Sequence, residues 1–530
     1  MNVLLLYPQF PKSFWSYNRF MELAGLKATI PPLGIITVAA LLPADWNLRF
    51  YDRNVALETE ADWDWCDLVI LSAMLVQQDD FLALIRRAVR LGKPVAVGGP
   101  YPTSVPDDAL EAGANFLVLD EGELTIPTFL TALSRGDSQG IFRATEKPDV
   151  TQSPMPRFDL LPRDAYLMMA MQFSRGCPFN CEFCDIIALY GRKPRTKTPT
   201  QALAELQALY DLGWRGSVLI VDDNFIGNQR NVKAFLRELI PWMQQRRYPF
   251  TFLTEASVNL AEDEELLDLM AQAGFYGVFL GIETPDQDSL QVTRKVQNTR
   301  NPLVEACAKI NRAGLLIYAG FILGFDGERE GAGDRIQAFV EETSIPQPML
   351  GILQALPNTA LWERLKREQR LLVNDGHPTG DQNTLMNFVP TRPATDIARE
   401  YVQSIWALYD PKAYLHRCFR QCLALRPHRP DHQTMRFPLG KGLRILAQIL
   451  WHQGLRRAEI RGQFWRQLGY LLVQRPHCLT TYLGLCAAGE HFWEYRDLAR
   501  RRIGDQLGMD LLPPAEADSP EPGMANAVHC

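Results

Sequence analysis

The chain has 530 residues, 47% hydrophobic and 22% charged, and a formal charge of −6. That is ordinary globular composition with length for three or four domains, and it excludes collagenous, fibrous and wholly disordered proteins. No apolar run reaches the roughly 18 residues of a membrane span.

In chain order, the N-terminus MNVLLLYPQF has no basic n-region and soon meets Pro8 and Pro11, so it reads as a first buried strand and not a signal peptide. Residues 1–145 alternate short apolar runs with helical stretches. The runs are VLLLY (3–7), NLRFYD (47–52), LVILS (68–72), PVAVGG (94–99) and NFLVLD (115–120), with a helix over 79–92 and a helix start at Pro106-Asp107-Asp108. This predicts a doubly wound, Rossmann-like α/β domain of about five parallel strands. Pro-rich 146–158 opens a linker that runs to residue 165.

Residues 166–357 repeat the alternation, with strands expected at 166–174, 217–223, 250–257, 277–283, 315–325 and 349–357 and helices over 202–213, 232–243 and 263–274. Six strands with helical crossovers predict a partial (β/α)6 barrel. Asp222, Asp223, Glu255, Ser257 and Glu283 gather at strand C-terminal ends, where parallel α/β folds bind ligands. Residues 358–512 read as a mainly helical module, in which 442–473 carries apolar and basic residues at helical spacing. The Pro- and acid-rich stretch 513–530 is expected to be disordered.

Ten cysteines in this length are no disulfide scaffold, and with nothing pointing to secretion the expected location is the cytoplasm. All eight histidines lie between His377 and His529, so the first 376 residues offer no imidazole. The segment Pro411–Arg502 holds 17 Lys/Arg against five acids, a charge of +12 that leaves −18 for the rest.

The first barrel strand runs directly into Arg175-Gly176-Cys177-Pro178-Phe179-Asn180-Cys181-Glu182-Phe183-Cys184. Three thiolates at C-x3-C-x2-C spacing on one loop suit three irons of a [4Fe–4S] cluster and leave the fourth iron open. Gly176 and Pro178 suit a loop that wraps such a cluster. A structural zinc site wants four ligands, yet the next cysteine along the chain is Cys307 and no histidine precedes His377. A disulfide leaves one thiol over. The cluster reading stands ahead of both.

CPFNCEFC, with Phe183 beside the third cysteine, resembles the signature of the radical S-adenosylmethionine superfamily. The resemblance implies that Cys177, Cys181 and Cys184 hold the cluster and that its open iron chelates the amino and carboxylate groups of S-adenosylmethionine. An electron, from a donor such as flavodoxin or ferredoxin, then cleaves a C–S bond to give methionine and a 5′-deoxyadenosyl radical, which takes hydrogen from an unactivated carbon. The resemblance further implies that Asp222 and Asp223, with Asn224, serve the methionine amino end, that Glu255 and Ser257 lie near the ribose, and that Gly281-Ile282-Glu283 is the adenine-side motif. Taken alone, each is an ordinary strand-end residue.

Three strand ends of the N-terminal domain resemble, in order, the signatures of cobalamin-binding domains: Asp52-Arg53-Asn54, Ser72-Ala73-Met74 and Gly98-Gly99-Pro100. A Gly-Gly strand end lets backbone approach a bulky nucleotide tail. Asp120-Glu121-Gly122-Glu123 closes the domain, another recurrent feature of this class. Where that family has a cobalt-ligating histidine this chain has Asn54, so cobalamin is expected to bind without a lower imidazole, its cobalt facing water or the loop Met74-Leu75-Val76-Gln77. The alternative is a degenerate domain that only packs on the barrel. Cys66 is the only cysteine before Cys177, which excludes a second cluster there and with it methylthiolation.

From these motifs and from Asn387-Phe388-Val389-Pro390-Thr391-Arg392-Pro393, the chain is identified as a member of the cobalamin-dependent (class B) radical S-adenosylmethionine family, resembling its hopanoid C-2 methylase branch. The resemblance implies a C-methyltransferase acting on an unactivated carbon of an apolar or lipid small molecule. A cobalamin-assisted cyclase or rearrangement enzyme without net methylation is the alternative among enzymes, and a cobalamin- or redox-sensing interaction protein the alternative outside them. The basic C-terminal segment is either a solvated helical face or a surface that rests peripherally on anionic lipid. An acidic body and absent RNA-recognition signatures argue against nucleic acid as a partner. Cys418 and Cys422, at i, i+4 with His416 nearby, read as a buried helical face ahead of a metal site.

Overall fold

The computed structural model describes residues 1–300, 302–372, 380–426 and 439–511. The expected disordered tail lies outside them. Near the N-terminus, β1 (Asn2–Tyr7), β2 (Asn47–Asp52), β3 (Leu68–Ser72), β4 (Val95–Gly98), β5 (Phe116–Val118) and β6 (Gly140–Phe142) form one parallel sheet in the order β2-β1-β3-β4-β5-β6. Val3 to Leu6 are fully buried because both faces of this sheet are covered, and a central parallel strand must then be apolar throughout. The helix Gln78–Arg90 buries Phe81, Leu84, Ile85 and Ala88 at i, i+3, i+4, i+7 spacing. The sixth strand exceeds the expected five. It is three residues at the sheet edge with Ile141 exposed, so it lacks the apolar run that marks the others.

The second sheet is built from β7 (Met168–Met171), β10 (Ser217–Ile220), β11 (Thr251–Ala256), β12 (Phe275–Glu283), β13 (Leu316–Leu323) and β14 (Gln347–Ile352). All pairings are parallel and every neighbour in the sheet is the next of these strands in sequence, the topology of a partial barrel. Two-residue strands β8 (Ser174–Arg175) and β9 (Arg195–Thr196) pair antiparallel and frame the loop between them. They are too short for periodicity to reveal.

The N-terminal domain and the barrel are stitched together at the entry to β7. Ala165 O accepts from Lys27 N and Ala28 N at 2.9 and 3.2 Å, Leu167 N donates to Ala28 O at 3.0 Å, and Met168 N to Thr29 O at 2.9 Å. Tyr166 donates its hydroxyl to Asp52 Oδ2 at 3.0 Å, beneath the end of β2.

The C-terminal part is helical: Ala394–Leu408, Pro411–Ala424, Leu439–Trp451, Arg461–Gln474 and Leu479–Leu507. The last of these carries Phe492, whose ring stacks on Tyr409 at 4.6 Å and lies 4.8 Å from Phe14. Cys418 and Cys422 are fully buried on the helix Pro411–Ala424, as a core face requires.

Candidate active site

The cysteine loop leaves β8 through Gly176, whose φ of 92° and crowding fit glycine alone: a Cβ there would stand 2.8 Å from Gly191 O. Cys177 N donates to Gly191 O, which closes the loop on itself. The loop is also fastened from below. Glu182 is salt-bridged to Arg364 at 2.9 Å, and Arg364 to Asp326 at 2.7 Å. Burial first, then Asp185, then the other two thiols push the Cys184 thiol well above its usual range; burial also raises Cys177, with a contribution from Cys181. Three thiols close enough to oppose one another's ionisation suit a polynuclear cation that neutralises them together. Among the described residues no group of three or more His, Cys, Asp or Glu is placed to hold a single metal ion. A four-iron cluster puts each thiolate on a different iron, so its ligands stand further apart than those of one ion.

Amide groups reach two of the sulfurs. Asn224 Nδ2 donates to Cys177 Sγ at 3.8 Å and Gln297 Nε2 to Cys181 Sγ at 3.6 Å. Such donors tune a cluster's potential. Lys295 is buried, forms an ion pair with Glu283, and has its charge favoured by Glu283, then by Cys181, although desolvation opposes it. Its ammonium is 5.8 Å from the Phe183 ring, which also meets Phe325 at 5.7 Å. Lys295 and Gln297 had no sequence signal, since they sit in the irregular stretch after β12 where no period operates.

The other expected residues divide. Asp222 has both oxygens occupied, by Phe173 N and Ser174 Oγ at 2.7 Å each, so it clamps the end of β7. Asp223 accepts from Gly176 N at 3.2 Å and is raised to about 7 by burial. Asn224 Nδ2 donates to Ser257 Oγ at 3.1 Å, and Ser257 Oγ to Asn259 Oδ1 at 2.6 Å, which joins the ends of the second and third barrel strands. Glu283 has a φ of 66°, unfavourable for a side-chain-bearing residue. A Cβ on Gly281 would lie 2.5 Å from Glu283 Oε1 and 2.7 Å from Lys295 Nζ. The glycine therefore makes room for that ion pair.

Glu255 has no hydrogen-bond or ion-pair partner among the described residues. Water reaches it, yet burial, then Asp223 and Asp222, raise its carboxyl to about 7. A side chain that is wet but deep among protein atoms lines an interior cavity. On the same face of the sheet, Leu253, Phe279, Tyr318 and Met349 are half-buried in mid-strand, whereas alternate residues such as Phe252, Val278, Ala319 and Leu350 are fully buried against the helices. Trp15, from the arm after β1, meets Phe279 at 5.4 Å, and Tyr17 donates to Gln347 Oε1 at 2.8 Å. The barrel interior is thus aromatic and apolar, with the carboxylates and thiols at its C-terminal rim.

In the N-terminal sheet the strand order reverses direction between β1 and β3, which opens a crevice at their C-terminal ends. Asp52, Asn54, Ser72, Met74, Gly98, Gly99 and Pro100 all lie on that edge. Asn54 is a clasp: Nδ2 donates to Asp52 Oδ1 at 2.7 Å and Pro8 O at 3.1 Å, while Oδ1 accepts from Phe10 N at 2.8 Å. Gly98 and Gly99 are required by the protein's own packing. A Cβ would lie 2.7 Å from Val118 O at the first and 2.6 Å from Ser72 Oγ at the second. Met74 is 48% exposed on this edge, and Pro100 starts the short helix Pro100–Ser104. A crevice with an exposed thioether on its rim fits a broad, partly apolar macrocycle such as cobalamin.

Comparison with known proteins gives three family matches along the chain: "B12 binding domain" over residues 23–130, "Radical SAM superfamily" over 171–338, and "Domain of unknown function (DUF4070)" over 359–505. An uncharacterized methyltransferase of Synechocystis sp., sll1242, is 55% identical across 98% of this chain and 96% of its own. The hopanoid C-2 methylase of Rhodopseudomonas palustris is 34% identical across 88% of each. Among solved structures, the cobalamin-dependent S-adenosylmethionine radical enzyme OxsB with aqua-cobalamin bound superposes with a TM-score of 0.59 at 15% identity, covering 96% of this chain and 80% of that one. The radical S-adenosylmethionine methyltransferase TsrM of Kitasatospora setae gives 0.57 at 17% identity, covering 80% and 94%. At such identities these two structures establish the fold.

Proposed function

The chain belongs to the cobalamin-dependent radical S-adenosylmethionine methyltransferases, and we propose that its substrate is an apolar, lipid-class small molecule methylated at an unactivated carbon. The observation that carries the substrate class is the barrel interior. Leu253, Phe279, Tyr318 and Met349 face it, Trp15 covers it, and Glu255 is the one charge among them. A cavity of that kind stabilises a hydrocarbon skeleton by desolvation and offers few partners to a polar one.

When bound, the iron–sulfur cluster with S-adenosylmethionine supplies hydrogen abstraction, and cobalamin supplies the methyl group. In this reading Cys177, Cys181 and Cys184 hold the cluster, with Asn224 and Gln297 donating to sulfur. Lys295 offsets the thiolate charge and holds Glu283 in its strained conformation. Asp223 and Glu255 stand at the rim to meet the S-adenosylmethionine amino and ribose groups, and Ser257 is fixed beside them by Asn224. The β1/β3 crevice holds cobalamin through Ser72, Met74 and the Gly98-Gly99 edge, with Asn54 shaping the loop at residues 8–10. The substrate lies at the barrel mouth between the two cofactors, with its apolar skeleton against the interior side chains. The electron donor is a flavodoxin- or ferredoxin-class protein, and an apolar substrate places the enzyme's work at the membrane periphery.

The test is incubation of the reduced, fully loaded protein, without oxygen, with detergent-dispersed lipid extract. The expected result is a lipid that gains one methyl group. A product of unchanged mass replaces methylation by a cyclase or rearrangement reading. A methylated water-soluble product with no methylated lipid removes the lipid class.

A further inference from the structure

We propose that the helices Leu439–Trp451 and Arg461–Gln474, with the bend between them, form a docking face for an anionic phospholipid bilayer. Large apolar side chains are unusually open here: Leu443 is 57% exposed, Trp451 59%, Leu455 58%, Trp465 45%, Leu472 55% and Val473 76%. They form two stripes. Leu443 and Trp451 are eight residues apart on the first helix, and Trp465 and Leu472 seven apart on the second, in each case two turns. The stripes join through the bend, where Trp465 Nε1 donates to Gly454 O at 2.9 Å beside Leu455.

The charge on this face selects the occupant. Between residues 439 and 474 the sequence has six Lys/Arg and one acid, Glu459. Arg444, Arg456, Arg461 and Arg466 are exposed and have no ion-pair partner among the described residues. Four other arginines of this module are used internally. Arg417 pairs with Glu341, Arg457 with Glu490 while lying over Trp493 at 4.2 Å, Arg500 with Asp510 and Arg502 with Asp381. So the basic segment splits: these arginines are neutralised by acids of the barrel or of the module itself, and those interleaved with open tryptophan and leucine have no ion-pair partner among the described residues. Tryptophan and arginine together at one surface match an interface whose apolar layer lies just beneath anionic headgroups. A protein partner offers no such continuous pairing of a flat apolar layer with diffuse negative charge. No helix of the described residues is long and apolar enough to cross a membrane, so the contact is peripheral.

The inference deepens the lipid-substrate reading and rests on it for the use of the surface. The experiment separates the two. Full-length protein with its cofactors is sedimented with phosphatidylcholine vesicles and with vesicles also containing phosphatidylglycerol. Binding is expected to the second only and to fall with added salt, since screening weakens charge attraction. The triple variant Arg456→Glu, Arg461→Glu, Arg466→Glu should reduce binding by at least about tenfold, and Trp451→Ala should reduce it with the charges intact. Both variants should keep wild-type circular dichroism and elution volume; one that unfolds is replaced by Arg444→Glu with Leu455→Ser. Equal recovery in the supernatant with both vesicle types overturns the inference. So does a concentration-dependent dimer in buffer that Trp451→Ala abolishes, which assigns the face to a second copy of the chain. Vesicle binding lost while dispersed lipid is still methylated removes the docking face alone. Vesicle binding retained without lipid methylation removes the substrate reading alone.

Discussion

Arg175 Nη1 stands 2.8 Å from Glu121 Oε2, which ties the residue two before the first cluster cysteine to the turn that follows the fifth strand of the N-terminal sheet. Arg175 Nη2 also meets Glu123 at 2.8 Å, and Arg195, on the strand paired with it, meets Glu121 at 2.8 Å. The two strands framing the cysteine loop are therefore both held by one acidic turn of the other domain. Glu121 is 3% exposed in its side chain, and among the described residues its ion pairs are with these two arginines alone.

Arg175→Met should destabilise the protein by about 3 kcal/mol, because it leaves buried Glu123 without its cation while Glu121 keeps Arg195. The check is the midpoint of denaturant unfolding without oxygen, against a Glu123→Gln variant that removes only one partner and should cost less.

Replacing Cys177, Cys181 or Cys184 singly by Ala should abolish the visible absorbance of the reconstituted cluster and the formation of 5′-deoxyadenosine, since three thiolates are needed to hold three irons. Cys418→Ala, in the buried face of the helix Pro411–Ala424, should leave both intact. A Cys181→Ala protein that still cleaves S-adenosylmethionine would falsify the ligand assignment.

Gly99→Ala combines two faults. Its φ of 94° is unfavourable for any side chain, and the added Cβ would meet Ser72 Oγ at 2.6 Å and Ala73 O at 3.0 Å. The strain amounts to about 1–3 kcal/mol, and relief requires the ends of β3 and β4 to separate. The expected outcome is a lowered melting temperature together with weakened cobalamin retention, read from the absorbance of the protein after desalting. Unchanged retention would detach the Gly98-Gly99 edge from the cobalamin crevice.

Glu328 gives a pH prediction. Its side chain is fully buried, it shares the Arg392 guanidinium with Glu400, and its Oε1 has no hydrogen-bond partner among the described residues. Two carboxylates on one cation favour keeping a proton, and burial raises Glu328 from 4.5 to about 7. The folded state thus holds a proton that the unfolded state releases near pH 4.5. The contribution to stability is full below that pH and is lost as pH rises towards 7. Glu328→Gln should remove this slope, worth on the order of 3 kcal/mol over the interval. Parallel stability-versus-pH curves for wild type and variant would show instead that Glu328 is ionised throughout.

Much of this was legible in the sequence because burial on both faces of a parallel sheet writes continuous apolar runs. VLLLY and LVILS could be read as strands for that reason, and the cysteine spacing followed the first barrel strand directly. β6 escaped because GIF at a sheet edge needs no such run. Asn54 reads as a cofactor-side position, and its side chain also holds the loop at residues 8–10, through contacts 44 and 46 positions away in sequence that no local pattern announces. Lys295 and Gln297 escaped for a related reason. Their meaning lies in which thiols they face, and that is fixed by the closure of the barrel and not by neighbours along the chain.

The backbone bonds between residues 27–29 and 165–168 bear on how the protein is made. The earlier segment leaves the ribosome about 140 residues before its partners exist, a delay on the order of ten seconds at ordinary rates of synthesis. The N-terminal sheet is finished only with β6 at residue 142, and from then until residues 165–168 are made the carbonyls of Ala28 and Thr29 and the amides of Lys27 and Ala28 still lack these partners. Translation thus presents a nearly finished N-terminal domain with an open seam, and the first strand of the barrel is the piece that closes it.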